Sequence, residues 1–456
     1  MPLVSDGATT MILGIDIGGT HTDAVVIDRF QVIKKAKVLT EESNLLGSLL
    51  AVTTELIDDA VIKQLERVVL STTISTNAIV QNKVDRVGMM VVSGPGLPPA
   101  LLKAPLDTHF LPGYVNHRGI EIRGIDPKEA RRTCVQFLAE NIEHIGIVGK
   151  FSTRNPMQEI RLKEIAAAFP VHVSLGHRMS GNLNFPRRIA TTYLNEAVWR
   201  RYSDFAREVL RFSRELSIHV PIYILKADGG TFDIEQSLEF PVQTILSGPA
   251  ASIMGVMTTM DCRSDAIALD IGGTTTDISL FADGVPLLEA FGVTIEGHKT
   301  LIRGLRTRSI GVGGDSRVAF NEGKLLIGPQ REGPAAAFGG PFPTPTDAMI
   351  VLGLTAIGDA DKAAKSLVPI ASSLQCSLEK TAETIFRDAC GKIAVQVRQL
   401  LSEVNSEPVY TIHELLEGRT LAPKHLYLVG GPSQAMAAEL GRLLACETHL
   451  PPHPDV

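Results

Sequence analysis

At two places in the chain an apolar run leads into a short polar, glycine-centred interruption and then out into a second apolar run. The first reads Gly14-Ile15-Asp16-Ile17-Gly18-Gly19-Thr20-His21-Thr22-Asp23 and continues as Ala24-Val25-Val26-Ile27. The second reads Ala268-Leu269-Asp270-Ile271-Gly272-Gly273-Thr274-Thr275-Thr276-Asp277 and continues as Ile278-Ser279-Leu280-Phe281. Each pattern predicts strand, tight glycine turn, strand. A further turn follows each copy, at Asp28-Arg29-Phe30 and Ala282-Asp283-Gly284, and then another apolar strand. Two copies of one supersecondary unit argue for two related lobes.

Between and after the copies the period changes. Leu45, Leu49, Val52, Leu56 and Ile57 recur at helical spacing and predict one helix over 43–65. Val68-Val69-Leu70 is a short strand. The hydroxyl-rich run Ser71-Thr72-Thr73-Ile74-Ser75-Thr76-Asn77 after it reads either as a helix start or as a loop touching phosphate or substrate. Residues 86–93 are a strand and 94–124 an irregular, Gly- and Pro-rich stretch. Asp126-Pro127-Lys128-Glu129 opens a helix to about Asn141. A long helix is predicted from Phe185 to about Ser217, a strand at Ile222–Leu225, and a small-residue helix over Ala250–Met260. Gly311–Ser316 is a flexible loop, followed by helices near 359–371 and 377–404. Strand Leu426–Val429, a Gly430-Gly431 pair and a helix over 433–445 close the pattern.

The residue types of the repeat suit phosphate. Gly18-Gly19 and Gly272-Gly273 lack Cβ atoms, so backbone N–H groups can approach an anion closely. Thr20, Thr22, Thr274 and Thr276 add hydroxyl donors. Asp16 and Asp270 repel phosphate, so their natural role is to hold hydrated Mg²⁺ or to orient an attacking water or hydroxyl. A single copy would read as an ordinary hairpin; two copies with matching flanks favour a pair of phosphate loops.

Composition removes other classes. Hydrophobic residues make up 44% and charged residues 21%, as in a globular soluble protein. A formal net charge of −6 disfavours nucleic acid or an acidic membrane as partner. Five scattered cysteines without C-x-x-C spacing read as free thiols in a reducing compartment, with no zinc site. No stretch is apolar enough for a signal peptide or a membrane span, and a cytoplasmic location is expected.

The paired hairpins resemble those of the actin-like ATPase superfamily, in which a third strand-Gly-Gly segment holds adenosine; Leu428-Val429-Gly430-Gly431 fits that element. The resemblance implies an α/β, two-lobed actin-like (ribonuclease H-like) fold with duplicated hairpin lobes. In that scheme 1–10 is a flexible lead and 11–185 an N-terminal lobe with an inserted α/β segment. Residues 186–262 are linking helices and the inter-lobe crossing, and 263–456 is the C-terminal lobe, with the adenosine-type segment at 425–446.

More narrowly, the chain resembles the hydantoinase/oxoprolinase family, A-type subunit. The resemblance rests on Asp16–Asp23, Thr72–Ala78, Arg188 with Thr191-Thr192 and Leu194-Asn195, Asp228-Gly229-Gly230, and Leu246–Ala251. It also rests on Asp270–Asp277, Gly311–Ser316, Pro345–Ala348, Gly430-Gly431 and Pro451–Pro454. It departs from the family where Leu70-Ser71 replace a His-Gly pair, Asp315 replaces a glycine and Asp228 an asparagine. Members are typically longer than this chain. The resemblance implies an Mg-ATP-dependent hydrolase that activates a lactam or cyclic-imide carbonyl for ring opening. ATP and Mg²⁺ are the implied cofactors, Asp16 and Asp270 the catalytic and metal-positioning residues. Gly18, Gly19, Thr20, Thr22, Gly272, Gly273, Thr274, Thr276, Gly430 and Gly431 would bind nucleotide. A B-type subunit and an oligomeric assembly are implied partners. The alternatives are an activator or reactivating ATPase for a partner enzyme, and a small-metabolite kinase on the same fold.

Overall fold

A computed structural model describes residues 11–18, 21–29, 31–41, 44–54, 56–96, 98–102, 105–406 and 420–452. The predicted lead at 1–10, and Gly19 and Thr20 of the first glycine turn, lie outside the described residues. The chain divides into two units: Met1–Ala251 with Leu288–Gly304, and Ser252–Leu287 with Leu305–Val456.

The first unit contains a six-stranded sheet. Its order is Thr231–Asp233, Ile222–Leu225, Leu65–Thr72, Met11–Ile17, His21–Asp28, Gln31–Leu39. The first hairpin pairs Asp16 with Asp23 and Ile17 with Thr22, and Leu65–Thr72 runs parallel beside Met11–Ile17. Leu13, Ile15 and Ile17 alternate into the core, as a half-buried strand requires. The helix expected over 43–65 is two helices, Leu45–Thr54 and Asp59–Gln64. Asp58 sits in extended conformation and its carboxylate accepts from the Ala60 and Val61 amides, so a new cap restarts the helix although the apolar spacing continues.

A second, four-stranded parallel sheet lies in the same unit, in the order His172–Leu175, His144–Gly149, Val87–Val92, Thr108–Phe110. Its two central strands are buried throughout, as parallel strands covered on both faces are. The helix Phe185–Glu215 serves both sheets. Its early residues Phe185, Ile189 and Ala197 pack on Val87, Met89 and Val148, and its later Tyr202, Phe205, Val209 and Phe212 pack on Leu13, Ile15 and Val68.

Within this helix Glu196 is fully buried. His144 and His172 each donate from Nδ1 to its Oε1, at 3.0 and 2.7 Å, and the Ser174 hydroxyl donates to Oε2 at 2.5 Å. Burial opposes the charge, but these donors outweigh it and hold the Glu196 carboxyl below the usual range. A folded pKa below the ordinary 4.5 stabilises at neutral pH, and this stabilisation is lost as the pH falls through the folded pKa. Glu196→Gln should therefore lower stability at pH 7 by about 3 kcal/mol, with a smaller loss at pH 4. Thermal unfolding at the two pH values checks this, and equal melting temperatures for parent and variant at pH 7 would refute it.

The second unit repeats the hairpin on its own sheet, in the order Val285–Pro286, Thr276–Ala282, Ala266–Ile271, His425–Val429, Glu447–His449, with Thr307–Ile310 also pairing Thr276–Ala282. The register of the first copy recurs, Asp270 opposite Asp277 and Ile271 opposite Thr276, and again a parallel strand, His425–Val429, flanks the aspartate strand. Ile385, Ala389, Ile393 and Val397 of helix Leu378–Ser406 cover this sheet. Among the described residues no helix is long and apolar enough to cross a membrane. All five cysteines are unpaired.

Candidate active site

Each predicted aspartate ends a strand and receives a serine hydroxyl. In the first unit, Ser71 stands opposite Asp16 on the parallel neighbour, and its Oγ donates to the Asp16 carboxylate. In the second, the strand position opposite Asp270 is Val429, and the hydroxyl comes from Ser252 of helix Ser247–Thr259. The sequence marks Ser71 only as a departure from the family pattern, and Ser252 only as one small residue in a helix.

The glycine turns close on themselves. Gly18 N–H donates to His21 O at 3.0 Å and Gly272 N–H to Thr275 O at 2.9 Å. Thr22 and Thr276 are fully buried: Thr22 shares a hydrogen bond with Thr40, and the Thr276 hydroxyl donates to Val312 O. Both hydroxyls, expected as phosphate donors, are thus engaged inside the fold. Strand alternation puts both threonines on the core face, one position after a turn residue that is not. Thr274, in the turn itself, stays partly exposed and accepts from Arg331.

In the second unit three distant segments meet at this turn. Gly314 and Asp315 N–H groups donate to the Gly272 and Gly273 carbonyls, and Thr346 N–H donates to Gly314 O. A Cβ on Gly313 would lie 2.6 Å from both of those turn carbonyls, so only glycine lets the loop 311–316 seat there. Gly430 follows its strand at φ +93°, and a Cβ there would be 2.2 Å from Ile271 O and 3.0 Å from Asp270 Oδ1. Glycine at 430 thus allows the third segment to reach the aspartate. Gly431 has open space around it, and helix Ser433–Leu444 follows.

Asp315 lies against Gly273 and accepts from Arg331 Nη2 at 3.1 Å, while Arg331 Nη1 donates to Thr274 Oγ1 at 3.2 Å. Burial pushes the Asp315 carboxyl up and the Arg331 charge pulls it back. A guanidinium is thereby fixed beside the 272–275 turn. Arg331 belongs to a Gly/Pro-rich stretch that carries no motif, and nothing in the sequence singles it out.

Other candidates are engaged with the surrounding chain. Thr73, Ser75 and Thr76 spend their hydroxyls on Ile17 O, Thr244 and the Leu246 amide. Arg188 is buried and donates to the carbonyls of Asn182, Gly149 and Lys150. Asp228 accepts from Gly230 N–H at 3.1 Å, making a local turn with Gly229 at φ +80°.

The two hairpins differ in one charge. Asp23 forms an ion pair with Lys37 across the ladder, whereas Asp277 faces Ser309. Burial, with Asp270 beside it, raises the Asp277 carboxyl to about 7. A carboxyl raised in the folded state stabilises fully below its unfolded pKa of 3.8 and loses that contribution as the pH rises through about 7. Without divalent cations, Asp277→Asn should match the parent's melting temperature at pH 4 and exceed it at pH 8, by up to about 4 kcal/mol in stability. A variant less stable than the parent at pH 8 would contradict this.

Comparison with known proteins gives the family and the fold. The family model described as hydantoinase/oxoprolinase matches residues 188–455, and that for the hydantoinase/oxoprolinase N-terminal region matches 12–169. Caprolactamase subunit alpha of Pseudomonas jessenii is 23% identical, over 94% of this chain and 67% of that protein. The 5-oxoprolinase of Saccharomyces cerevisiae is 29% identical, over 51% of this chain and 18% of that protein. The nucleotide-free structure of an acetone carboxylase, described as ATP-dependent, superposes with a TM-score of 0.78 at 18% identity, over 96% of this chain and 68% of that one. The fold is of the α/β actin-like ATPase class. The chain spans about two thirds of the length of the first of these relatives and under a fifth of the second.

Proposed function

The chain belongs to the hydantoinase/oxoprolinase family, and on that premise we propose that it uses Mg-ATP to activate the carbonyl of a lactam or cyclic imide for ring opening, together with a second subunit. The observation that carries this reading is the assembly in the second unit, where the Asp270 strand end, the Gly272–Thr275 turn, the 311–316 loop and Gly430 converge. Those segments suit a triphosphate and its nucleoside better than any other ligand class.

The residues divide the work. The turn at 272–275 and Thr274 receive phosphate oxygens, and Arg331 supplies a fixed positive charge beside them. Gly430-Gly431 leave room for the nucleoside. Asp16 and Asp270, each oriented by a serine hydroxyl, are oxygen donors of the kind Mg²⁺ prefers, so the donor chemistry fits that ion. When bound, the ion neutralises charge on the transferring phosphoryl group. The γ-phosphoryl passes to the amide oxygen with release of ADP. Water then adds at the activated carbon, the C–N bond breaks, and phosphate leaves. Phosphoryl transfer asks mostly for positioning and charge stabilisation, which is what these groups provide.

Phosphate release from Mg-ATP by the purified chain is the test. It is to be run alone, with caprolactam, 5-oxoproline and hydantoins, and with the protein encoded beside it. A lactam- or imide-dependent increase that yields the opened product supports the reading. Stimulation by the partner protein without any small molecule would replace it with an activator ATPase, and phosphate stably transferred to a metabolite would replace it with a kinase.

A further inference from the structure

Among the described residues, two clusters join a pair of histidines to a glutamate. In the first, His144, His172 and Glu196, both imidazoles bind the same carboxylate oxygen and Ser174 takes the other. The Arg200 guanidinium donates to His144 Nε2 at 3.1 Å, and Trp199 stacks on His172 with ring centroids 3.6 Å apart. Both oxygens of its carboxylate are taken and a cation already stands beside it, so it is a structural network.

The second cluster is built differently. His425 lies in strand His425–Val429, and Glu447 and His449 lie in the neighbouring strand Glu447–His449. The register puts Glu447 opposite His425 and His449 opposite Tyr427. Residues two apart on a strand share a face, so Glu447 and His449 project to one side, and the pairing brings His425 to that same side. His425 Nδ1 and His449 Nε2 are 2.9 Å apart. The Glu447 carboxylate stands 3.6 Å from the first and 3.9 Å from the second. These separations bracket the roughly 3.3 Å between ligand atoms of a tetrahedral zinc ion with bonds of about 2.0–2.1 Å. The two imidazoles are about 30% exposed, so a cation can enter. Cys446, on the alternate face, donates its thiol to the Pro423 and Leu444 carbonyls and is outside the donor set.

We propose that His425, Glu447 and His449 form a binding site for a late first-row divalent cation, zinc above all. Two imidazoles and one carboxylate are the donor set of such ions, and three protein ligands leave a position for water. The site staples the edge strand Glu447–His449 to its neighbour. It is separate from the nucleotide end of the sheet, because His425 begins the strand whose far end, about 13 Å on, leads into Gly430. The staple acts on stability, since an ion that binds only the folded chain raises its melting temperature by mass action.

The test uses the untagged full chain after EDTA treatment and dialysis. Calorimetric titration with Zn²⁺ should give one saturable equivalent assigned to this site, and Co²⁺ should give visible absorption bands of a low-symmetry site. Zn²⁺ at about 100 times its dissociation constant should raise the melting temperature by about 5 °C. His449→Ala should weaken binding about 100-fold. Glu447→Gln, at an exposed position that cannot disturb folding, should weaken it at least tenfold, and Cys446→Ser should leave it unchanged. Undiminished affinity in both His449→Ala and Glu447→Gln, or no equivalent bound by the parent, would overturn the proposal. Loss of the site in Cys446→Ser would overturn the donor set.

Discussion

Asp270→Asn should reduce phosphate release from Mg-ATP by about 100-fold or more, a loss near 3 kcal/mol of transition-state stabilisation, and Asp16→Asn should do the same. Asparagine keeps the shape and an oxygen that accepts the Ser252 or Ser71 hydroxyl, so each change removes a charge and little else. In the second unit it also removes the charge that helps raise the Asp277 carboxyl, so Asp270→Asn should melt no lower than the parent at pH 8. Reduced turnover together with retained stability separates a chemical role from a structural one. Ser252→Ala, which removes the serine's hydrogen bond and leaves the carboxylate in place, should cost about tenfold. Near-native turnover in Asp270→Asn and Asp16→Asn would sink the assignment of both residues.

Arg331→Met is expected to lower kcat by about 100- to 1000-fold, the usual loss when one fixed charge or donor aimed at developing negative charge is removed. The guanidinium bridges Thr274 in the 272–275 turn and Asp315 in the 311–316 loop, so its position is set from two sides. Asp315→Gly removes one of those anchors without removing the guanidinium's charge; a smaller loss, about tenfold, is expected. Steady-state kinetics on the two variants decide the matter. If Arg331→Met keeps the parent's kcat, the Asp315–Arg331 pair is only a clasp on the loop.

The paired hairpins were legible because glycine turns and alternating strands are local signals, and the repeated register, Asp16 with Asp23 and Asp270 with Asp277, follows from them. The same alternation, carried past the turn, puts Thr22 and Thr276 on the core face. The split of the 43–65 segment turned on Asp58, whose capping outweighed an unbroken apolar spacing. Gly430 was recognisable from its place after a strand, though not its approach to Asp270. Arg331 had no local signature: its partner Thr274 is 57 residues away in sequence, and only the folded chain brings them together. The hydroxyl-rich run after Leu70 opens the helix Ile74–Val80. Ser71 reaches the aspartate, while Thr73, Ser75 and Thr76 bind the chain around them.

Trp199 is the chain's single tryptophan; it stacks on His172 and donates from its indole N–H to Leu238 O, within the first unit. Its emission is consequently an optical reporter of that unit alone, whereas far-ultraviolet dichroism sums the helices of both. Denaturant curves recorded by the two signals on one sample measure how cooperative the molecule is: coincident midpoints mark a single all-or-none transition, and separated ones give each unit its own free energy. Native fluorescence makes that comparison without a label.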